Sequence, residues 1–139
     1  MLKRAIQIAR IAHQGQTDKG GHDYISHPIR VMNSLESEVE KIVGVLHDTI
    51  EDSQLTFNDL RDEGFSENVI EAINAITKRK RESYDDYLKR VMSNPIATKV
   101  KIADLKDNSD LSRIPQPTEK DYRRTEKYKQ AIKFLSELG

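Results

Sequence analysis

The stretch VLHDTIEDS, residues 45–53, sets two polar pairs, His47-Asp48 and Glu51-Asp52, among the apolar residues Val45, Leu46 and Ile50. A helix that needed only a core face would not require so many ligand-type side chains beside it. Wound at the helical pitch, Val39, Ile42, Val43, Leu46 and Ile50 fall in one arc about 100° wide, the width of a core stripe. His47, Asp48 and Glu51 fill the next sector, and Asp52 lies just beyond it. His47 and Glu51 are four residues apart, as are Asp48 and Asp52, so the second pair is the first moved one turn, ~5.4 Å, along the same face. This reading predicts a continuous helix over about 39–50. Groups so placed can serve one centre, the first pair holding something and the second acting on it.

Clustered carboxylates repel one another and resist burial. A divalent cation would compensate them, and a neutral imidazole beside a carboxylate suits a mid-transition metal. The helix supplies only two such groups, so others must come from elsewhere. His27 precedes Pro28 at a helix start. Asp104 sits between Ile102-Ala103 and Leu105, and burying it there is costly unless it is paired or metal-bound. Each also has a plainer reading. His27 can serve only to start a helix, and Asp104 can be a solvated partner of Lys101.

Helical periodicity dominates the rest of the chain. Leu2, Ala5, Ile6, Ala9 and Ala12 form a stripe that stops near Gly15. GQTDKGGHDY (15–24) reads as loop. SHPIRVMNSL (26–35) reads as a helix with Ser26 as its cap and Pro28 in the first turn. Thr56 with Asp59 makes a weak capping box, and Gly64 is a stop. SENVIEAINAITK (66–78), YDDYLKRVM (84–92) and IATKVKIADLK (96–106) are helical. The basic run KRKRES (78–83) and RIPQPTEKD (113–121) are connections, and a last helix runs from about Thr118 to Leu138. The whole reads as one compact all-α domain, 1–139, of about seven helices.

Composition narrows the function. Lys+Arg and Asp+Glu are 23 each in 139 residues, and 33% of residues are charged. A net charge of zero argues against nucleic acid or membrane as the main partner. The chain has no cysteine, which excludes a disulfide scaffold and a thiolate zinc site. No apolar run approaches the ~20 residues of a membrane span, and MLKRAIQIARIAH is not a signal peptide. A cytoplasmic protein is expected.

His27, His47-Asp48 and Asp104 in this order resemble the HD-domain metal phosphohydrolases. The finer pattern is more specific. AHQGQTDKGGHDYISHPIRV (12–31), VGVLHDTIEDSQLT (43–56) and VKIADLKDNSDL (100–111) are similar to three ordered blocks of the hydrolase domain of RelA/SpoT alarmone enzymes. The tail DLSRIPQPTEKDYRRTEKY (110–128) resembles the small, stand-alone members of that family. The resemblance implies that His27, His47, Asp48 and Asp104 hold a metal, usually Mn²⁺, and that Glu51 and Asp52 position and activate the attacking water. It implies nucleotide contacts from Lys19 and Asn108, and from Arg113, Arg124 and Tyr128 near phosphates and sugar. Lys78, Arg79, Lys80 and Arg81 form a second group of candidate cations. His13 is expected to be structural, and Tyr84 and Tyr87 to pack.

The reaction implied is removal of the 3′-pyrophosphate from (p)ppGpp, leaving GDP or GTP. A chain filled by this domain has no room for a synthetase and should only degrade. Asp18, His22-Asp23, Asp107 and Asp110 depart from the family pattern. Asp18, Asp107 and Asp110 add negative charge near a site for a polyanion, while the metal and water residues should be untouched. The departures keep two alternatives open. One is hydrolysis of another nucleotide, such as (p)ppApp or a 3′-phosphorylated nucleotide, and the other is a non-catalytic nucleotide-binding module.

Overall fold

Most helices in this chain begin where a side-chain oxygen can receive the first free amides. Ser37 accepts from the Glu40 amide while the Glu40 carboxylate accepts from the Ser37 amide, and this reciprocal box starts α3 (Glu38–Leu46). Thr56 and Asp59 make the expected box at α5 (Phe57–Asp62). Ser66 caps α6 (Glu67–Ile76), Ser83 caps α7 (Tyr84–Met92), and Asn94, followed by Pro95, starts α8 (Pro95–Asn108). The remaining helices are α1 (Leu2–Ala12), α2 (Ser26–Asn33), the single turn α4 (Thr49–Asp52) and the long α9 (Glu119–Leu138). A 3-10 turn, Leu111–Arg113, follows α8. This computed structural model describes residues 1–138, with side chains to Ser136. Gly139, the last residue of the expected domain, lies outside the described residues.

The class is all-α, as expected: the described residues form no strand, only an isolated bridge between Thr17 and Asp23 that pinches the glycine-rich loop. No helix among them is long and apolar enough to cross a membrane. Among the described residues nine helices stand where about seven were expected, the separate turn α4 being one that the sequence reading did not foresee. α8 extends two residues past the expected end, to Asn108, and α9 starts at Glu119, one residue from the expected start.

α3 and α8 form the centre. α3 packs on α1, α2, α6 and α8, and α8 packs on α2, α3, α6, α7 and α9. Being covered on several sides, α3 is buried continuously from Ile42 to Leu46, not along one stripe. Val39, expected in the core, is exposed, and Ile50 is half-buried. Gly44 permits the tight α2–α3 approach, since a Cβ there would stand 2.7 Å from Leu35 Cδ1. Leu46, Ile73, Val100, Leu105 and Leu135 fill the space between the helices, each contributing about 1.5–3 kcal/mol of burial.

Two local expectations are corrected. The predicted helix over 39–50 breaks at His47-Asp48. The Gly44 carbonyl accepts from His47 Nδ1 at 2.6 Å and the Leu46 carbonyl from Thr49 Oγ1 at 2.8 Å. Side-chain donors thus satisfy the last turn of α3 and let the chain change direction. The Asp52 amide still donates to the Asp48 carbonyl at 3.0 Å, so one turn separates those two residues. Ser26 is not the cap of α2: it is the first helical residue, and its hydroxyl donates to the Asp23 carbonyl at 2.8 Å.

The loop after α6 is held by Arg90. Its guanidinium donates to the carbonyls of Asn74, Ala75 and Thr77 at 2.8, 2.6 and 2.9 Å, and to Glu82 at 2.6 Å. It satisfies the orphan carbonyls at the helix end and fixes the basic run beside them.

Candidate metal centre and adjoining pocket

The break after Leu46 turns His47 and Asp48 toward α2 and α8. Nε2 of His27 and of His47, with one oxygen each of Asp48 and Asp104, lie within 4.8 Å of one another. Asp104 Oδ1 is 2.8 Å from His27 Nε2 and 3.2 Å from His47 Nε2. Asp48 Oδ2 is 3.1 Å from His47 Nε2 and 3.9 Å from His27 Nε2. The other nitrogen of each ring faces an acceptor. His47 Nδ1 donates to the Gly44 carbonyl, and His27 Nδ1 to Asp107 Oδ2 at 2.6 Å. Both rings therefore present Nε2 to the cluster.

The electrostatics fit a cation. His27, His47 and Asp104 are nearly inaccessible to solvent. Burial works against a charged His47, yet Asp48 and Asp104 outweigh it and raise its pKa well above the usual range. Burial likewise opposes an ionised Asp104, but Lys101 and then His47 hold its carboxyl well below the usual range. Two imidazole nitrogens and two carboxylate oxygens make a sulfur-free set suited to a mid-transition divalent metal. Lys101 Nζ meets Asp104 Oδ2 at 3.0 Å, so the plainer reading of Asp104 was right about its partner and wrong about solvation. The lysine binds the oxygen turned away from the imidazoles.

Glu51 and Asp52 stand on α4 at the exposed edge of this cluster. The Lys78 amide donates to Glu51 Oε1 at 2.5 Å, which orients that carboxylate. Partial burial raises the Glu51 pKa, and the charges of Asp48 and Asp52 add to it against the Lys78 amide. Asp52 is raised by partial burial and by Asp48.

A cavity of about 390 Å³ opens beside His27. Lys19, Asn108, Arg113, Arg124 and Tyr128, all five of the expected nucleotide contacts, line it. The size is in the range of small-molecule sites. Arg113 pairs with Asp110 at 2.9 Å, Arg124 with Asp121 at 2.9 Å, and Asn108 Nδ2 donates to Asp104 at 3.1 Å. The acids that depart from the family pattern are also engaged. Asp18 accepts from the Gly20 and His22 amides, and Asp107 and Asp110 meet arginines. The run Lys78–Arg81 is exposed and lines none of this cavity.

Three residues near the centre were given no site role from the sequence. Tyr24 lines the cavity and donates to Asp48 Oδ2 at 2.5 Å. Lys101 is the buried counter-charge of Asp104. Asp107, expected to leave the metal residues untouched, touches His27 directly. Tyr24 stands in the matched HDYISHP block and was legible there; Lys101 and Asp107 were visible only as neighbours of Asp104. His13 is buried and packs its ring 4.9 Å from that of Tyr24, in keeping with a structural role. Tyr87 is buried, and Tyr84 packs against it.

No family model matches the chain. In sequence it is similar to the bifunctional (p)ppGpp synthase/hydrolase SpoT of Escherichia coli, 33% identical over 89 residues, covering 61% of this chain and 12% of that protein. It is also similar to the guanosine-3′,5′-bis(diphosphate) 3′-pyrophosphohydrolase of Aquifex aeolicus, 31% identical over 119 residues, covering 77% of this chain and 17% of that one. The chain thus spans about one-eighth to one-sixth of the length of these curated relatives. Its fold matches that of a metazoan ortholog of SpoT described as hydrolysing ppGpp, with a TM-score of 0.76 and 22% identity over 99% of this chain and 84% of that one.

Proposed function

We propose that this chain is a SpoT-type hydrolase domain, 1–139, that removes the 3′-pyrophosphate from guanosine alarmones with a divalent metal, Mn²⁺ being the first choice. One observation carries the reading: four convergent ligand atoms, His27 among them, adjoin a cavity lined by every expected nucleotide contact. The similarity to (p)ppGpp pyrophosphohydrolases supports the substrate class.

Phosphoryl transfer asks a protein mainly for positioning and charge neutralisation. His27, His47, Asp48 and Asp104 would hold the ion, whose chemistry here is to polarise a phosphoryl oxygen and acidify water. Glu51 and Asp52 take up the proton of the attacking water, and their raised pKa values make them better bases than ordinary carboxylates. The water oxygen bonds to the phosphorus that carries O3′, the O3′–P bond breaks, and O3′ is protonated as pyrophosphate leaves. Lys19, Arg113 and Arg124 face the phosphates, while Asn108 and Tyr128 contact the nucleoside.

The test is incubation of the protein and Mn²⁺ with ppGpp, pppGpp, ppApp, pppApp, GTP and ATP, with the products resolved. Pyrophosphate and GDP from ppGpp are expected. Turnover of adenosine alarmones alone would move the assignment to another nucleotide, a reading kept open by Asp18, Asp107 and Asp110 on the cavity wall. Binding without turnover under every metal tried would leave a non-catalytic module.

A further inference from the structure

α8 grips the His27 ring from both sides. Asp104 meets Nε2 at 2.8 Å, and Asp107, one turn further along the same helix, meets Nδ1 at 2.6 Å. We infer that Asp107 is a positioning residue for His27, fixing its ring so that Nε2 is delivered to the metal, and that Arg30 and Arg113 fix Asp107 in turn. The inference rests on the metal-centre reading. It concerns one of the positions at which this chain departs from the family pattern it resembles.

The geometry of Asp107 is that of a brace. Arg30 donates from Nε to Oδ1 at 2.9 Å and from Nη2 to Oδ2 at 3.1 Å, a two-point grip. Arg113 donates from Nη2 to the Asp107 carbonyl at 2.8 Å and lies 3.2 Å from Oδ1. Held by these two arginines, the carboxylate is fixed in place where it accepts the hydrogen bond from His27 Nδ1. Such an acceptor selects the tautomer, fixes the ring plane and makes the opposite nitrogen a stronger ligand. Arg30 and Arg113 also line the cavity, so the brace shares its cations with the space assigned to substrate.

The test is calorimetric titration of the metal-free protein with Mn²⁺, in parallel with thermal unfolding followed by circular dichroism. Asp107→Ala is expected to weaken Mn²⁺ binding about 10–100-fold, the usual cost of losing such an outer partner. Asp107→Asn, which keeps an oxygen able to accept from Nδ1, is expected to lose less. Asp110→Asn removes a neighbouring charge without touching His27 and is expected to bind within about twofold of wild type, a change below the outer-partner range. Unchanged affinity in a folded Asp107→Ala overturns the inference, and so does an equal loss in Asp110→Asn, which would make the effect one of general charge. Should Asp107→Ala fail to fold, Asp107→Asn decides: weakened binding with an unchanged melting temperature supports the brace, and unchanged binding overturns it. A wild-type protein that binds no Mn²⁺ overturns both this inference and the metal-centre reading, whereas binding that ignores Asp107 overturns the brace alone.

Discussion

The two halves of HDTIED live in different surroundings. His47 is buried, its outer nitrogen held by a backbone carbonyl and its inner one facing two carboxylates. Glu51 and Asp52, a few residues on, stand at the surface on a single helical turn, where one borrowed amide orients Glu51. The break after Leu46 creates the difference. A continuous helix would have kept both pairs on one face at one depth. A holding group profits from a dry, over-determined setting, where opposite charges interact strongly. A group that trades protons with water profits from access and a moderately raised pKa.

Substitutions should break the two halves differently. Asp48→Ala has the largest expected effect: it removes a ligand atom and the acceptor of the Tyr24 hydroxyl, so Mn²⁺ binding and turnover are both lost, as calorimetry and product assay would report. Glu51→Gln should keep the metal and slow turnover by about 10²–10⁴-fold, the range of a lost general base. Retention of full rate would remove Glu51 from that role.

Next comes pH. Both acidic side chains titrate above their ordinary values because of partial burial and the nearby charge of Asp48. The base must be deprotonated, so kcat/KM should fall as pH drops through the raised pKa, on a limb displaced upward from the ordinary carboxylate range. If that limb survives in Glu51→Gln and vanishes in Asp52→Asn, the proton goes to Asp52. Arg124→Ala should act on the pocket alone. It should raise KM by about tenfold, one charge-assisted bond, and leave metal affinity unchanged. The smallest effect belongs to the scaffold: Ser37→Ala removes the cap of α3 and should cost about 1 kcal/mol of stability in denaturant unfolding, with the site chemistry intact.

Much of this was legible in the sequence because it is local. Thr56 with Asp59, Gly64 as a stop (φ +91°) and the 84–92 helix need only their own neighbours. The ordered blocks brought His27 and Asp104 to His47-Asp48 through resemblance, not spacing. What escaped is long-range. Asp107 and His27 are 80 residues apart, and Tyr24 and Asp48 are 24 apart; no periodicity marks such pairs. The helix break escaped for another reason. The pattern of Ile42, Val43 and Leu46 is compatible with continuation, and only the competing bonds from His47 Nδ1 and Thr49 Oγ1 end α3 there. Val39 was misplaced because the helix is covered from Ile42 onward and open at its first turn.

Gly20 bears on how the pocket can change. A Cβ at this position would collide with the carbonyl oxygen of Arg113, so the glycine-rich loop and the turn after α8 meet backbone to backbone. The span between these two walls is therefore set by main chain. Exchanging side chains at Lys19 or Tyr128 would tune which ligand is favoured within a fixed frame. A larger residue at Gly20 would instead wedge the frame open and rescale the site for every ligand at once, which makes this glycine a gauge of size and its neighbours the instruments of choice.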